Sequence, residues 1–350
     1  MTETTSVLGG TVRRKEDPAL IRGVGVYTDD ITLSGQLYAA FVRSPFAHAT
    51  ITELDTSEAR AMDGVWAVYT IDDVRHLGPL IAQVPAGKAR PLLADGVVNH
   101  VGEAVAMVIA ENRYVAQDAA DAVIVDYDPL PAVIDLKEAA SDAVKVHDDL
   151  ESNIILTWKA NDWWPGVIEL EDAQPAIDAA KQRDDVVIVT HEMTNQRLIP
   201  TAIEPRSVIA SWNEGYGRFE VTSSSQIPHA LAGAIAKTFG LPSNAVHANA
   251  PEVGGGFGCK LNVYPDEILV CFATKALGRP VKFTETRREA STSTIQGRGW
   301  VATATIVGTR DGEILGYELD GIADLGAYVQ NFTAAIPLLG LWVSAGQYNI

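Results

Sequence analysis

Apolar positions along the first third of the chain come in short runs broken by turn residues, which predicts strands rather than long helices. Residues 35–42 and 64–70 read as strands, and residues 105–110 are apolar enough to be buried on both faces. From Asn112 to Ala122 the Ala and Val spacing becomes helical, with Asn112 placed as the N-cap, and residues 123–127 return to strand. That order predicts a compact α+β unit ending near Pro129-Leu130-Pro131.

Between residues 139 and 166 the pattern weakens into scattered acidic positions such as Asp142, Asp148 and Glu151, as expected of a connection between domains. Beyond it, residues 185–191, 207–212 and 218–223 read as strands. Pro228 sits in the first turn of a helix over residues 230–239, closed by Gly240. A second helix starts at Pro265, carries Asp266 and Glu267 in its first turn, and stops at Gly278 and Pro280. Residues 301–307 and 313–320 form a hairpin around Gly308 to Gly312. The apolar stretch 337–343 runs to Ile350 without a polar tail, so the chain is expected to be cut within a domain.

Composition narrows the function classes. The 350 residues suggest two domains, and 47% hydrophobic with 21% charged residues is globular rather than disordered. A net charge of −18 disfavours nucleic acid and anionic membrane surfaces. Two cysteines, Cys259 and Cys271, exclude a disulfide framework and any iron–sulfur or Cys-rich zinc centre built by this chain alone. No apolar run approaches the length of a membrane span and the first residues lack a signal-like core, so a soluble cytoplasmic protein is expected.

The strongest local signal is Gly254-Gly255-Gly256-Phe257-Gly258-Cys259-Lys260. It is not a Walker loop, because Cys259 and Leu261 flank the lysine, and the dinucleotide fingerprint would need Gly at 259. Such glycines either let backbone amides reach an anion or mark a tight crossing of two elements. Ser223-Ser224-Ser225-Gln226 ends a strand and opens a helix, where ligand-facing side chains often lie. The serines have a capping role to play there; Gln226 has none. Cys259 reads as a packing residue before a reactive thiol, and Glu285, Arg287, Arg288 and Glu289 as a solvated ion-pair cluster. No triad or paired carboxylate can be placed from spacing.

Taken together, the motifs resemble the large subunit of the molybdenum hydroxylases, the family of xanthine dehydrogenase, aldehyde oxidoreductase and aerobic carbon monoxide dehydrogenase. Arg13 to Asp17 with Gly23 to Asp29 resembles its opening segment. Arg43-Ser44-Pro45-Phe46-Ala47-His48-Ala49, Val101-Gly102-Glu103-Ala104-Val105-Ala106 and Asp126-Tyr127 with Leu130-Pro131 continue the pattern. Glu204-Pro205-Arg206, Gln226-Ile227-Pro228-His229 and the glycine loop follow in the family's order.

The resemblance implies an α+β fold: an α/β hammerhead domain over residues 1–138, a connecting segment over 139–166, and a molybdopterin-binding domain over 167–350, truncated at its C-terminal end. It assigns the cofactor to Gln226, which matches a glutamine bonded to an oxo ligand of molybdenum, and to Gly255, Gly256, Phe257 and Gly258. The pterin holds the metal, so no protein metal ligand is implied, and the dinucleotide form of the cofactor is expected. The family hydroxylates small carbon substrates with oxygen from water, or oxidises carbon monoxide, and passes electrons to an iron–sulfur small subunit and an FAD medium subunit. Those partners could also hold the protein at the inner face of a membrane. Leu261, where other branches often place a glutamate, resembles the carbon monoxide dehydrogenase-like branch. No catalytic residue can be named, because the family's catalytic glutamate matches no position here; the missing C-terminal half is expected in cis or in trans. The alternative is a truncated relic or cofactor-handling module that binds molybdopterin without turnover.

Overall fold

The structure is a computed structural model that describes residues 8–10, 12–80, 87–159 and 173–348. Residues 160–166 of the expected connecting segment, and the first residues of the expected second domain, lie outside the described residues.

The first strands are β1 (Leu37–Arg43), β2 (Ala49–Asp55), β3 (Val65–Tyr69), β4 (Val97–Val98), β5 (Ala104–Ala110) and β6 (Ile124–Pro129). Every residue of β5 is buried, and β5 lies between β1 and β3 as its run of Ala, Val, Met and Ile demands. After it comes helix α1 (Arg113–Asp121), where Asn112 Oδ1 accepts the N–H groups of Tyr114 and Val115, the N-cap the sequence predicts. Strand β2 was not expected. Its alternation is broken where the pairing with β6 shifts between Ile51 and Glu53.

The second half adds helix α2 (Gln174–Lys181) and strands β7 (Val186–Asn195), β8 (Ser207–Asn213) and β9 (Arg218–Ser223). Then follow α3 (Pro228–Thr238), β10 (Val246–Asn249), α4 (Pro265–Leu277), β11 (Val281–Thr284) and α5 (Arg287–Thr292). The hairpin β12 (Trp300–Thr309) and β13 (Ile314–Ala323) and helix α6 (Ala335–Trp342) come last. Helix α4 begins at Pro265, where the Glu267 carboxylate reaches back to the Tyr264 N–H at 3.0 Å, and ends at Gly278, whose φ of +63° is left-handed.

The two halves share a sheet. Seven strands run in the order β10-β9-β8-β11-β1-β5-β3, so strands from the first third pair with strands from the last. The seam is the parallel pair β1–β11, with Leu37 opposite Val281 and Tyr38 opposite Lys282. One apolar core crosses it: Leu37, Phe41, Met107 and Ile109 pack with Phe219, Ile268, Leu269 and Phe283. The Phe41 and Phe283 rings meet edge-on at 4.8 Å. Two smaller sheets flank this one: β4-β2-β6, and β13-β12-β7 with α2 packed on it through Ile177, Ala180 and Val307.

Candidate functional site

The glycine loop lies between β10 and α4, four residues ahead of a helix whose first turn is buried. Two of its glycines adopt left-handed backbone, Gly255 at φ +100° and Gly258 at φ +90°, and Phe257 joins them at φ +51° despite its side chain. A non-glycine residue held there in an exposed loop stores local strain. The Phe257 ring is 77% exposed.

Gln226 sits against this loop between β9 and α3. Its backbone N–H donates to the Lys260 carbonyl at 2.9 Å, and its side-chain Oε1 accepts from the Gly258 and Lys260 N–H groups, both at 3.2 Å. Two N–H donors aimed at one side-chain atom identify that atom as the amide oxygen. The carboxamide NH2 therefore faces away from the loop, and it has no acceptor among the described residues.

The glycines divide by what their missing Cβ would meet. At Gly256 it would lie 2.3 Å from Gln226 Oε1, so glycine is required there for Gln226 to close over the loop. At Gly254 it would lie 2.5 Å from the Glu204 Cβ. At Gly258 nothing lies within 4 Å, and the demand is the positive φ together with an open approach to the backbone. Both meanings of a glycine run thus coexist, divided between neighbouring positions. The N–H groups of Gly255, Gly256 and Phe257 find no acceptor among the described residues. Three successive unpaired amides beside a fixed carboxamide leave donors available to an anionic or oxygen-rich group.

The serines serve local structure, Ser225 Oγ accepting from the Ile227 N–H at 3.1 Å and Ser224 Oγ from the Ser207 N–H at 2.9 Å. Cys259 is buried, which pushes its thiol pKa up and keeps it protonated. Of the charged cluster after β11, Arg287 and Arg288 are exposed as expected, whereas Glu285 and Glu289 are drawn into ion pairs with arginines from elsewhere in the chain. Arg206 bonds Asp266 at 2.6 Å and Glu285 at 2.9 Å, while Arg43 of β1 reaches Glu289 at 2.7 Å and Asp266 at 3.3 Å. Burial opposes the charge on Asp266, but Arg206 and Arg43 outweigh it and hold its pKa down at about 2.

Phe257, Gly258, Leu261 and Asn262 form one wall of a cleft of about 1250 Å³. Arg90, Asn99 and His100 from the first third form another wall, and the β12–β13 hairpin contributes a third. That exceeds the ~300–1,000 Å³ of ordinary small-ligand pockets. Burial, with the Arg90 charge nearby, pushes the His100 pKa down to about 3, so the ring is neutral at pH 7. Glu103 takes hydrogen bonds from the Asn99 N–H at 2.6 Å and the Tyr328 hydroxyl at 2.7 Å; burial pushes its pKa up. This bracing of the cleft by Glu103 and Tyr328 joins residues 225 positions apart and leaves no signal in either local pattern.

Comparison with known proteins identifies this architecture. The molybdopterin cofactor-binding domain matches residues 146–350, and the aldehyde oxidase and xanthine dehydrogenase a/b hammerhead domain matches residues 22–131. The chain belongs to the molybdenum hydroxylase family. It is 34% identical over 322 residues to the carbon monoxide dehydrogenase large chain of Afipia carboxidovorans, covering 92% of this chain and 40% of that one. It is 32% identical to the nicotine 6-hydroxylase large subunit of Paenarthrobacter nicotinovorans, covering 93% of this chain and 39% of that subunit. Among solved structures, quinoline 2-oxidoreductase from Pseudomonas putida 86 superposes with a TM-score of 0.82 at 32% identity, covering 91% of this chain and 40% of that one. The chain thus spans about two-fifths of the length of these molybdenum hydroxylases. The expected hammerhead and cofactor-binding folds are both present. Among the described residues, no helix is long and apolar enough to cross a membrane.

Proposed function

We propose that this chain is part of the large subunit of a carbon monoxide dehydrogenase-like molybdenum hydroxylase, and that Gln226, Gly255, Gly256, Phe257 and Gly258 hold its molybdopterin cofactor, in dinucleotide form. The observation that carries this reading is the run of three unpaired amides at Gly255, Gly256 and Phe257 beside the outward-facing NH2 of Gln226. These groups fit the cofactor: unpaired amides and a carboxamide NH2 are available as donors, and the space before Gly258 is open.

When bound, the cofactor supplies two-electron oxidation of a small carbon substrate with oxygen drawn from water. The chain's own residues bind and orient. The loop amides donate to the cofactor, and Gln226 donates from Nε2 while its Oε1 keeps the loop closed through Gly258 and Lys260. Phe257 lends an apolar surface to one wall of the cleft. The cleft would admit the substrate, and iron–sulfur and FAD subunits would be the partners that take up the electrons in the cytoplasm.

The test is the metal content of the full-length protein purified with its partners from a host that makes the cofactor. Molybdenum and pterin should co-purify in equal amounts, and Gly258→Ala should lower both while the protein still folds. A wild-type protein free of molybdenum from such a host overturns the reading.

A further inference from the structure

Glu204 uses one oxygen twice. Its Oε2 accepts the Gly254 N–H at 2.6 Å and the Lys260 ammonium at 2.7 Å, so a single atom ties the first residue of the loop to the last. The backbone repeats the tie, with the Glu204 N–H donating to the Gly254 carbonyl at 3.2 Å. Both side chains are withdrawn from water, Lys260 being 1% exposed and Glu204 12%. Arg287 of α5 holds the preceding turn by donating to the Ala202 and Ile203 carbonyls, both at 2.7 Å. Lys260 also connects this clamp to Gln226: its N–H donates to Gln226 Oε1 and its carbonyl accepts from the Gln226 N–H. Neither Glu204 nor Lys260 presents its charge to the cleft.

We infer that the buried Glu204–Lys260 pair is a positioning device that sets the aim of the loop amides and of the Gln226 carboxamide. The inference rests on the cofactor reading given above for what those donors face. A buried pair is a costly way to stabilise a fold, since apolar residues of like size often do as well. It is a good way to fix geometry, because charge-assisted bonds are short and directional. A seven-residue loop with four glycines has many conformations, and closing it at both ends onto one oxygen removes most of them. The Gln226 contact at Gly258 then inherits its register from a carboxylate it does not touch.

The experiment replaces both charges at once. Glu204→Gln with Lys260→Met, in the full-length protein with its partner subunits, keeps an acceptor for Gly254 and leaves no unpaired buried charge. The readouts are hydrogen exchange at the Gly258 amide, whose own acceptor, Gln226, is unaltered, and molybdenum per polypeptide. Exchange at Gly258 should quicken at least ~10-fold while the melting temperature stays near wild type, and molybdenum content should fall. Glu204→Gln alone should quicken Gly258 in the same direction. Faster exchange confined to Gly254, with Gly258 within about twofold of wild type, reduces the pair to local packing and overturns the inference. Unfolding of both variants overturns it as well, because a positioning role requires the fold to survive. If the wild-type protein holds no molybdenum, the cofactor reading fails, and exchange at Gly258 still decides the clamp.

Discussion

Gly256→Ala isolates what a glycine in this loop is for. The backbone at 256 does not have positive φ, so alanine is conformationally acceptable and only its Cβ matters. That atom would lie 2.3 Å from Gln226 Oε1, 2.6 Å from Cδ and 2.9 Å from Cγ. Gln226 must therefore swing away, leaving the Gly258 and Lys260 N–H groups without their acceptor. Two hydrogen bonds at about 1 kcal/mol each, discounted because Gln226 is exposed and water can replace it, give a loss of about 1–2 kcal/mol. The Gln226→Ala variant loses the same bonds without a clash. In that background Gly256→Ala should cost less than about 0.5 kcal/mol, so a double-mutant cycle by urea unfolding should return a coupling of about 1 kcal/mol or more. Gly258→Ala is the contrast: its cost comes from φ +90° and should be the same with or without Gln226. Additive effects of Gly256→Ala and Gln226→Ala would refute the reasoning, placing the need for glycine at 256 in the ligand's space rather than under Gln226.

Three further outcomes follow from the buried polar groups. Asp266 has a folded pKa of about 2 against 3.8 for the free side chain, so it stabilises the fold above pH 4 and loses that contribution as pH falls towards 2. Asp266→Asn should cost about 2 kcal/mol at pH 5, with the gap to wild type closing near pH 2; a gap that does not vary with pH rules the assignment out. Tyr328→Phe leaves the buried Glu103 carboxylate short of a donor and should destabilise by about 1–3 kcal/mol in the same unfolding assay, whereas a change near zero would mean the contact is idle. Burial pushes both the Cys259 and Cys271 thiols up, so neither should react with a thiol reagent at pH 8 until urea unfolds the chain; rapid native labelling would contradict their placement.

The sequence was most legible where one segment carries its own instructions. Helix α4 has Pro265 at its first position, two acids in its first turn and Gly278 at its end, and the structure places its bounds there. Strand β5 is a continuous apolar run and lies within the sheet. The elements that escaped depend on partners far along the chain. Helix α5 was hidden among charges, although Thr286 and Glu289 carry a capping box that reciprocal hydrogen bonds confirm at 2.7 and 3.2 Å. Glu285 looks like a surface acid until Arg206, 79 residues earlier, is seen to bury it. Within the site, the glycine loop and Gln226 could be singled out from sequence. The division of labour among the glycines could not, because it is set by Glu204 and Gln226 on other elements.

That long-range dependence also accounts for the shared sheet. Arg43 lies at the end of β1, yet its guanidinium bonds Asp266 in the first turn of α4 and Glu289 on α5. Helix α4 begins just after the glycine loop, past Leu261 to Tyr264, and α5 holds the turn before Glu204 through Arg287. One arginine from the hammerhead segment thus grips both elements that frame the loop, and its own backbone is held by pairing with Ala104 of β5. These contacts are buried and ionic, so a small displacement of β1 would leave charges unpaired at low dielectric, a penalty of several kcal/mol that keeps the segments together. The hammerhead segment is therefore tied to both framing elements through charges that the loop itself never meets.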